Sequence, residues 1–284
     1  PCADRWILMT GNARVGEAFV PLDDRGLNYG DGLFETMRTT AGQIPLLDGH
    51  LQRLIDGCHR IRIPIPDPET LRAAAAAAAT GLDDGVVKLL VTRGGGGRGY
   101  RPPESPGPRV LVSVHELPDA PRHWYREGVR VRICQTRIGR SMATAGLKHL
   151  GRLEQVLASA ELEADDAEGL MLDENDLVIE GTRCNLFIVN GDRLVTPPVE
   201  MSGVAGVMRA LVRKMALQAD LECREEAVSL DELRGASEIL LTNSVLGVLP
   251  VTQIPSLNWR RTRGPVTEKL MQSVAELGVE AWAP

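Results

Sequence analysis

The sequence predicts an α+β fold with two subdomains, and three observations support this prediction. Segments typical of short strands come in runs, with helices inserted singly, which argues against a parallel βαβ sheet. The 284 residues are enough for one large domain or, as we prefer here, two small ones. Hydrophobic residues make up 43% of the chain and charged residues 25%, a globular mixture that excludes wholesale disorder and fibrous repeats.

The segments up to residue 137 are predicted to form the smaller, N-terminal domain. A Gly11-Asn12 turn signal predicts an opening hairpin, and Asp48 is the candidate N-cap of the first helix. An alanine tract favours the second helix by propensity. The predicted elements are strands at Trp6–Met9, Ala18–Leu22, Phe34–Thr40, Val86–Thr92, Val110–His115 and Val129–Gln135, and helices at His50–Ile61 and Glu69–Thr80.

Small residues from Ile138 to Gly146 indicate the connection between the domains. The predicted boundaries are therefore 1–137, a loop at 138–146, and a larger C-terminal domain at 147–284. Apolar residues at helical spacing from Leu147 onward predict that this second domain opens with an amphipathic helix. The other elements expected there are strands at Gly169–Leu172, Leu177–Ile179, Asn185–Val189, Leu194–Thr196 and Glu238–Leu241, and helices at Gly206–Gln218 and Pro265–Leu277.

Charge and motif patterns exclude several classes of function. The net charge of −6 argues against nucleic acid or an anionic membrane as the main partner. The five cysteines are scattered without CxxC spacing, which indicates reduced thiols in a cytoplasmic protein. No apolar run approaches the ~20 residues of a membrane span. HExxH and GxSxG motifs are absent, so we expect no metal site, and metal and serine hydrolases are poor candidates.

A glycine-rich segment follows the strand predicted at Val86–Thr92. Gly94, Gly96 and Gly99 match the GxGxxG spacing of dinucleotide-binding loops. That motif requires a helix directly afterwards, and the prolines at 102, 103 and 106 prevent one. Two interpretations stay open at this point. The segment is a flexible strand connection, or it is a ligand loop in which Arg98 offers a planar fork to a carboxylate.

Four further features each have a structural and a functional interpretation. Lys148 is either a surface lysine or a Schiff-base lysine, whose neutral amine a helix start would favour. Gly203–Gly206 is either a plain helix entry or a phosphate site. Thr242-Asn243-Ser244 offers hydroxyl and backbone donors after a strand. Glu180 is an ordinary turn carboxylate, unless a pyridine ring lies beside it and needs its nitrogen protonated.

Taken together, three segments resemble the fold-type IV pyridoxal-phosphate enzymes. That family comprises branched-chain aminotransferases, D-amino acid aminotransferases and aminodeoxychorismate lyases, and the similarity extends over nearly the whole chain. The lyases are most similar, because the branched-chain enzymes usually carry Asn and Tyr where this chain has Arg152 and Leu153. The resemblance implies the two-domain architecture of D-amino acid aminotransferases. The segments are 24–38 (DRGLNYGDGLFETMR), 92–100 (TRGGGGRGY) and 145–157 (AGLKHLGRLEQVL).

The resemblance also implies a role for each matching position. Lys148 would bind pyridoxal 5'-phosphate covalently and act as acid and base, and Glu180 would pair with the pyridine nitrogen. Arg98 and Tyr29 would bind the substrate, and Thr36 would help to protonate the leaving group. The residues implied to hold the cofactor phosphate are Arg53, Val207, Met208, Asn243 and Ser244.

The implied activity is a lyase reaction of folate biosynthesis, which converts 4-amino-4-deoxychorismate into 4-aminobenzoate and pyruvate. The resemblance further implies a cytoplasmic homodimer with a small-molecule substrate. The alternative is an aminotransferase acting on branched-chain or D-amino acids, and a non-catalytic binder of small anions is the rival from another class. Gly151 and Arg183 differ from the family pattern, and both changes can alter the shape of the pocket.

Overall fold

The computed structural model describes residues 5–9, 14–15, 20–96, 98–279 and 282. The chain divides into two compact units. The first unit contains Pro1–Pro118 and Leu147–Gly151, and the second contains Asp119–Gly146 and Arg152–Pro284. The Gly11-Asn12 turn and the first residues of the strand predicted at Ala18–Leu22 lie outside the described residues. The described remainder of that segment, residues 20–22, is not in a strand.

An antiparallel five-stranded sheet in the order β2-β1-β5-β4-β3 organises the first unit. Helices α2 and α3 pack on one face of it. The elements of this unit are β1 (Arg5–Met9), β2 (Arg14–Val15), α1 (Arg25–Tyr29), β3 (Gly32–Thr40), α2 (Leu47–Arg60), α3 (Pro68–Ala79), β4 (Asp84–Thr92) and β5 (Arg109–His115).

The two faces of this sheet differ because side chains alternate along each strand. Leu33 and Met37 of β3, together with Val87 and Leu89 of β4, are buried in the core with α2 and α3. The residues between them, Phe34 and Thr36 on β3 and Lys88 on β4, are directed to the opposite face and are only partly buried. We call this second surface the open face of the sheet.

The start of α2 differs from the prediction that Asp48 caps it. The cap position is Leu46, which makes no side-chain hydrogen bond, and Asp48 lies within the first turn. There its carboxylate pairs with Arg72 at 2.7 Å. Helix α3 does have a side-chain cap, because Asp67 accepts a hydrogen bond from the Thr70 amide at 2.9 Å.

A ten-stranded mixed sheet organises the second unit, in the order β11-β10-β9-β13-β14-β6-β7-β8-β12 with β15 paired to β14. Helices α6 and α8 pack against β13 and β14. The elements are α4 (Arg122–Glu127), β6 (Val129–Ile133), α5 (Leu153–Ser159), β7 (Glu168–Leu172), β8 (Leu177–Gly181), β9 (Asn185–Asn190), β10 (Arg193–Thr196), α6 (Val207–Gln218), β11 (Cys223–Glu225), β12 (Val228–Ser229), α7 (Leu230–Gly235), β13 (Glu238–Asn243), β14 (Gly247–Ile254), a 3-10 turn (Pro255–Leu257), β15 (Trp259–Arg260) and α8 (Pro265–Ala275).

The boundaries of the two units differ from those predicted at 137/138 and 146/147. Strand β6 pairs in parallel with β7 and β14, so it belongs to the second unit. Leu147–Gly151 groups with the first unit, because its backbone hydrogen-bonds to β3. Both assignments depend on pairing between distant segments, and local composition does not reveal such pairing.

The described part of the chain contains no helix that is both long and apolar enough to cross a membrane. Four of the five cysteines are described, and all four carry free thiols. Cys58, Cys134 and Cys184 are buried, and burial raises the pKa of the Cys58 and Cys134 thiols to about 12. These thiols are therefore protonated at neutral pH. Cys2 lies outside the described residues.

A glycine at the start of β14 yields a test of packing in the second unit. Gly247 has φ +73°, and a Cβ there would lie 2.7 Å from Cγ of the buried Trp282. Gly191 has a similar φ of +67° but nothing within 4 Å of its Cβ position. We expect Gly191→Ala to lower the free energy of unfolding by about 1–2 kcal/mol through backbone strain alone.

Gly247→Ala should cost about 1–3 kcal/mol more, because it also overpacks the site. Urea denaturation of both variants measures the difference. Equal losses would show that Trp282 does not pack as described.

Candidate active site

The segment 24–38, which carries the family resemblance, begins with a tight turn of helix. Asp24 is fully buried and caps α1, accepting a hydrogen bond from the Gly26 amide at 2.8 Å. The same carboxylate accepts from the Thr92 hydroxyl at 2.9 Å and pairs with Arg109. Asp24 therefore ties α1 to β4 and β5. A buried carboxylate is retained only where charged or hydrogen-bonding partners compensate for its desolvation.

Arg25 anchors the glycine-rich segment to this turn. Its side chain is 3% exposed, and its Nε donates to Asp31 at 2.9 Å. Its two terminal nitrogens donate to the carbonyls of Gly99 at 3.0 Å and Tyr100 at 2.8 Å. The Tyr100 ring also meets the Tyr29 ring edge-on, with centroids 5.5 Å apart. The loop is thus held at its second half, beside an aromatic pair.

Arg98, the predicted carboxylate fork, lies next to this anchor and is exposed. No helix begins among the described residues between Gly94 and Pro108, so the dinucleotide-binding interpretation finds no support in the structure. Tyr29, the other predicted substrate residue, is 41% exposed. Both predicted substrate residues are therefore accessible to a ligand, and Arg25 determines the backbone position of the loop that carries Arg98.

Lys148 lies in an extended segment that adds to the edge of β3. The Phe34 amide donates to the Lys148 carbonyl at 3.0 Å, and the Leu150 amide donates to the Gly32 carbonyl at 3.0 Å. The Lys148 ammonium lies 4.5 Å from the centroid of the Phe34 ring. Thr36 follows two residues later on the same face of β3. The structure thus brings the predicted Schiff-base lysine and Thr36 onto the open face.

The prediction that Lys148 opens an amphipathic helix is wrong. Helix α5 begins only at Leu153, five residues later, so Lys148 does not lie at the start of this helix. The apolar positions Leu153, Val156 and Leu157, which predicted a buried stripe, are exposed. Apolar spacing alone cannot show which side of a segment a neighbour covers, and the hydrogen bonds to β3 determine its conformation here.

Arg53, the predicted phosphate ligand, is held by a buried carboxylate that sequence reasoning missed. Its Nε donates to Glu35 at 2.8 Å, and a terminal nitrogen bonds the second oxygen. Burial raises the pKa of Glu35, but the Arg53 charge and a 2.6 Å hydrogen bond with His50 outweigh it and lower the pKa to about 2. Glu35 is therefore ionised and fixes the guanidinium. In the sequence, the His-x-x-Arg spacing in α2 was the signal that could have indicated this cluster.

His50 completes this cluster as a neutral side chain. Burial lowers the pKa of His50, and the nearby Glu35 offsets this only in part. Because Glu35 is ionised, the ring nitrogen facing it, Nδ1, carries the proton and donates. The other nitrogen, Nε2, is buried and has no hydrogen-bond partner among the described residues. The cluster thus has no net charge: the ionised Glu35 balances Arg53 and holds its guanidinium in place.

In the second unit, Glu180 is the predicted partner of a pyridine nitrogen. It lies near the end of β8, is 4% exposed, and its Oε2 accepts from the Val204 amide at 2.8 Å. Asn185 donates to the same oxygen at 3.3 Å and to the Val204 carbonyl at 2.9 Å. These contacts fix the orientation of the carboxylate. Asn185 was not among the predicted site residues, and its position five residues after Glu180 was the only signal.

The predicted phosphate site at the start of α6 has uncapped backbone donors. Helix α6 begins at Val207 with Gly206 as N-cap, so no side chain caps it. The first-turn amides of a helix, here including those of Val207 and Met208, lack intrahelical partners and carry the positive end of the dipole. A Cβ at residue 206 would lie 1.9 Å from Oδ1 of Asn185. Glycine is therefore required for this close approach.

Asn243 ends β13, and Ser244 begins the turn that leads to β14. The side-chain oxygen of Asn243 accepts from the amides of Val245 at 2.9 Å and Leu246 at 2.7 Å. Its nitrogen donates to the sulfur of Cys184 at 3.2 Å. The Asn243 side chain therefore shapes the turn, and what the turn offers a ligand is the half-buried Ser244 and backbone groups.

Replacing Arg25 by Met is expected to loosen the glycine-rich loop without unfolding the protein. The variant loses two charge-assisted hydrogen bonds to loop carbonyls, each worth about 1.5–3 kcal/mol. Trypsin should therefore cut after Arg98 at least roughly fivefold faster, because local opening exposes the bond. Mass spectrometry identifies the cleavage site.

Arg126→Met removes an exposed arginine of α4 and provides the matched control. Equal cleavage after Arg98 in both variants would show that Arg25 does not hold the loop.

Comparisons of the sequence and of the structure with known proteins agree on one family. Residues 32–254 match the amino-transferase class IV family. An aminodeoxychorismate lyase of Vibrio harveyi is 37% identical over 84% of this chain and 88% of its own length. The crystal structure of 4-amino-4-deoxychorismate lyase from Pseudomonas aeruginosa is 44% identical, with a TM-score of 0.88 over 92% of this chain and 96% of that chain.

More distant relatives share the same architecture. The branched-chain amino acid aminotransferase of Escherichia coli is 25% identical, with a TM-score of 0.83 over 98% of this chain and 94% of that chain. These similarities confirm the predicted α+β architecture of the fold-type IV enzymes. The chain belongs to the amino-transferase class IV family, whose enzymes use pyridoxal phosphate.

Proposed function

We propose that this protein is a pyridoxal-phosphate lyase that converts 4-amino-4-deoxychorismate into 4-aminobenzoate and pyruvate. The observation that best supports the proposal is the order of sequence identity between this chain and its relatives. Identity is 44% to the Pseudomonas lyase and 37% to the Vibrio lyase, compared with 31% to a putative branched-chain-amino-acid aminotransferase and 25% to the Escherichia coli branched-chain enzyme. The segment around Lys148, which distinguishes the lyases from the branched-chain enzymes in sequence, supports the same choice.

The side chains of this chain suit pyridoxal phosphate. Glu180 is a carboxylate with a fixed orientation, as a protonated pyridine nitrogen requires. Arg53 is a guanidinium held by an ionised carboxylate, and the amides at the start of α6 are uncapped. Guanidinium groups and helix N-termini are the usual ligands of phosphate. We propose that these groups hold the ring and the phosphate, with Ser244 as a further donor.

When bound, the cofactor supplies an electron sink for the carbon next to the substrate amine. Lys148 would take the proton from C4 of the substrate on its side-chain nitrogen. Glu180 would stabilise positive charge on the pyridine nitrogen. The C3–oxygen bond then breaks, the enolpyruvyl group leaves, and the ring becomes aromatic, which makes the reaction strongly downhill.

Thr36 and the loop at Arg98 complete the proposed machinery. Thr36 lies on the same face of β3 as Phe34, against which the Lys148 ammonium packs. We propose that its hydroxyl donates a proton to the leaving oxygen. Arg98 and Tyr29, both accessible, are proposed to bind the substrate. A homodimer remains a prediction, which sedimentation velocity of the purified protein tests.

Replacement of Lys148 by Ala is expected to abolish turnover, because the variant lacks both the covalent link to the cofactor and the base. The assay follows 4-aminobenzoate and pyruvate released from aminodeoxychorismate. Borohydride reduction followed by mass spectrometry detects the cofactor linked to the lysine. Lys269→Ala, at an exposed lysine of α8, is the matched control and should retain both properties.

Two results would contradict the proposal. Full turnover by Lys148→Ala would exclude the lysine as the base. Absence of both products from wild-type protein that carries a reducible cofactor link would favour the aminotransferase alternative. In that case glutamate should form from 2-oxoglutarate with a branched-chain or D-amino acid as donor.

A further inference from the structure

The turn between β13 and β14, residues 244–246, is held by two aromatic side chains that the proposed mechanism has not used. The indole Nε1 of Trp282 donates to the Val245 carbonyl at 3.0 Å. The Tyr125 hydroxyl donates to the Leu246 carbonyl at 2.9 Å. Both aromatic residues are buried, with Trp282 1% and Tyr125 4% exposed. Two consecutive carbonyls of one turn are therefore bonded to donors that lie far from it in the sequence.

The amides of the same turn are bonded by Asn243, the residue that precedes it. The Asn243 side-chain oxygen accepts from the amides of Val245 at 2.9 Å and Leu246 at 2.7 Å. One peptide group joins these two residues. Its carbonyl is bonded to Trp282 and its amide to Asn243. This peptide group cannot rotate without breaking two hydrogen bonds, one of which would leave a buried carbonyl unpaired.

The direction of the peptide groups in a turn decides how the turn interacts with an anion. Type I and type II turns differ by a rotation of the central peptide group by about 180°, which exchanges the positions of its carbonyl and its amide. An amide N–H attracts a phosphate, whereas a carbonyl oxygen repels it. A turn that receives a phosphate binds it more tightly when one of these conformations is already fixed, because no ordering cost remains to be met on binding.

Trp282 also packs directly on the backbone where the turn ends. Gly247, the first residue of β14, has φ +73°, and a Cβ there would lie 2.7 Å from Cγ of Trp282. The indole ring thus occupies the space that a side chain at residue 247 would need. Val245 and Leu246 are buried, whereas Ser244 is partly exposed. The aromatic side chains therefore hold the buried part of the turn, and the partly exposed Ser244 lies directly before it.

We propose that Trp282 and Tyr125 are positioning residues for the cofactor, which hold the turn at Ser244 in the conformation that receives the phosphate of pyridoxal phosphate. The inference rests on the proposed function, in which Ser244 is one of the donors to that phosphate. Each aromatic residue acts through the backbone, because it bonds a carbonyl whose rotation would change the conformation of the turn. The two bonds engage adjacent carbonyls, so the loss of either one is expected to weaken phosphate binding.

The test separates binding of the phosphate from binding of the ring. Pyridoxal has the ring and the aldehyde of pyridoxal 5'-phosphate but lacks the phosphate. The full-length, cofactor-free protein is titrated with each compound, and the absorbance of the bound chromophore gives each Kd. Trp282→Phe keeps an aromatic ring but removes the indole N–H. In this variant the Kd of pyridoxal 5'-phosphate should rise about three- to tenfold, as expected for the loss of one hydrogen bond to a buried carbonyl. The Kd of pyridoxal should change less than about twofold.

A second buried tryptophan provides the matched control. Trp259 is 3% exposed, and its Nε1 donates to the Ala236 carbonyl at 3.1 Å. It pairs with Ile254, at the opposite end of β14 from the turn. Trp259→Phe makes the same chemical change and should leave both Kd values within about twofold of wild type. Tyr125→Phe removes only a hydroxyl and should reproduce the phosphate-specific loss. Thermal unfolding of each variant verifies that the fold is intact.

The outcomes distinguish this proposal from the lyase function itself. If Trp282→Phe and Tyr125→Phe bind pyridoxal 5'-phosphate as tightly as wild type, or weaken both compounds equally, these residues do not position the turn for a phosphate. A loss of the same size and specificity in Trp259→Phe would overturn the proposal as well. A wild-type protein that does not bind pyridoxal 5'-phosphate would contradict both proposals. If phosphate binding depends on Trp282 and Tyr125 but the wild type releases no 4-aminobenzoate, the positioning role stands and the lyase function fails.

Discussion

The backbone pairing between β3 and the segment Leu147–Gly151 is the constraint on which the proposed chemistry of the first unit depends. Two hydrogen bonds, from Phe34 to Lys148 and from Leu150 to Gly32, hold that segment in an extended conformation. This pairing brings the Lys148 ammonium against the Phe34 ring. The same strand carries Thr36 on the open face and Glu35 on the core face, because side chains alternate. One strand thus presents Thr36, the proposed proton donor, on the open face and orients Arg53 through Glu35 on the core face.

The distribution of charge follows the cost of burying ions. Buried carboxylates of the first unit have dedicated cationic partners, and the pKa of Asp31 stays below its usual value because Arg93 and Arg25 more than compensate for its desolvation. These pairs make the sheet and the loop anchor rigid. In the second unit, the Val204 amide and the Asn185 side chain donate hydrogen bonds to the buried Glu180 carboxylate.

Sequence patterns predicted the main elements of both sheets well. The strands Val86–Thr92 and Val110–His115 and the helix at Gly206–Gln218 are found within a few residues of their predicted limits. Alternation and helical spacing are local signals, and they suffice for elements that bury one face. Strand β14 and the pairing of β6 with β7 and β14 were not foreseen. Parallel pairing between strands that are far apart in the sequence leaves no mark on local composition. The sequence therefore predicted the domain boundary after β6, whereas β6 belongs to the second unit.

The sequence by itself determined the α+β class, the family resemblance, and the identities of the residues proposed for catalysis, since motif and periodicity are properties of the chain. Only the tertiary structure decided how these residues are held. Lys148 lies in an extended segment that pairs with β3, where a helix was expected. Glu35 hydrogen-bonds to both Arg53 and His50, and Asn185 donates a hydrogen bond to Glu180. The tertiary structure also placed Lys88 beside Thr36. The physical reason is that the partners of a buried polar group come from distant segments, and only folding brings them within hydrogen-bonding distance.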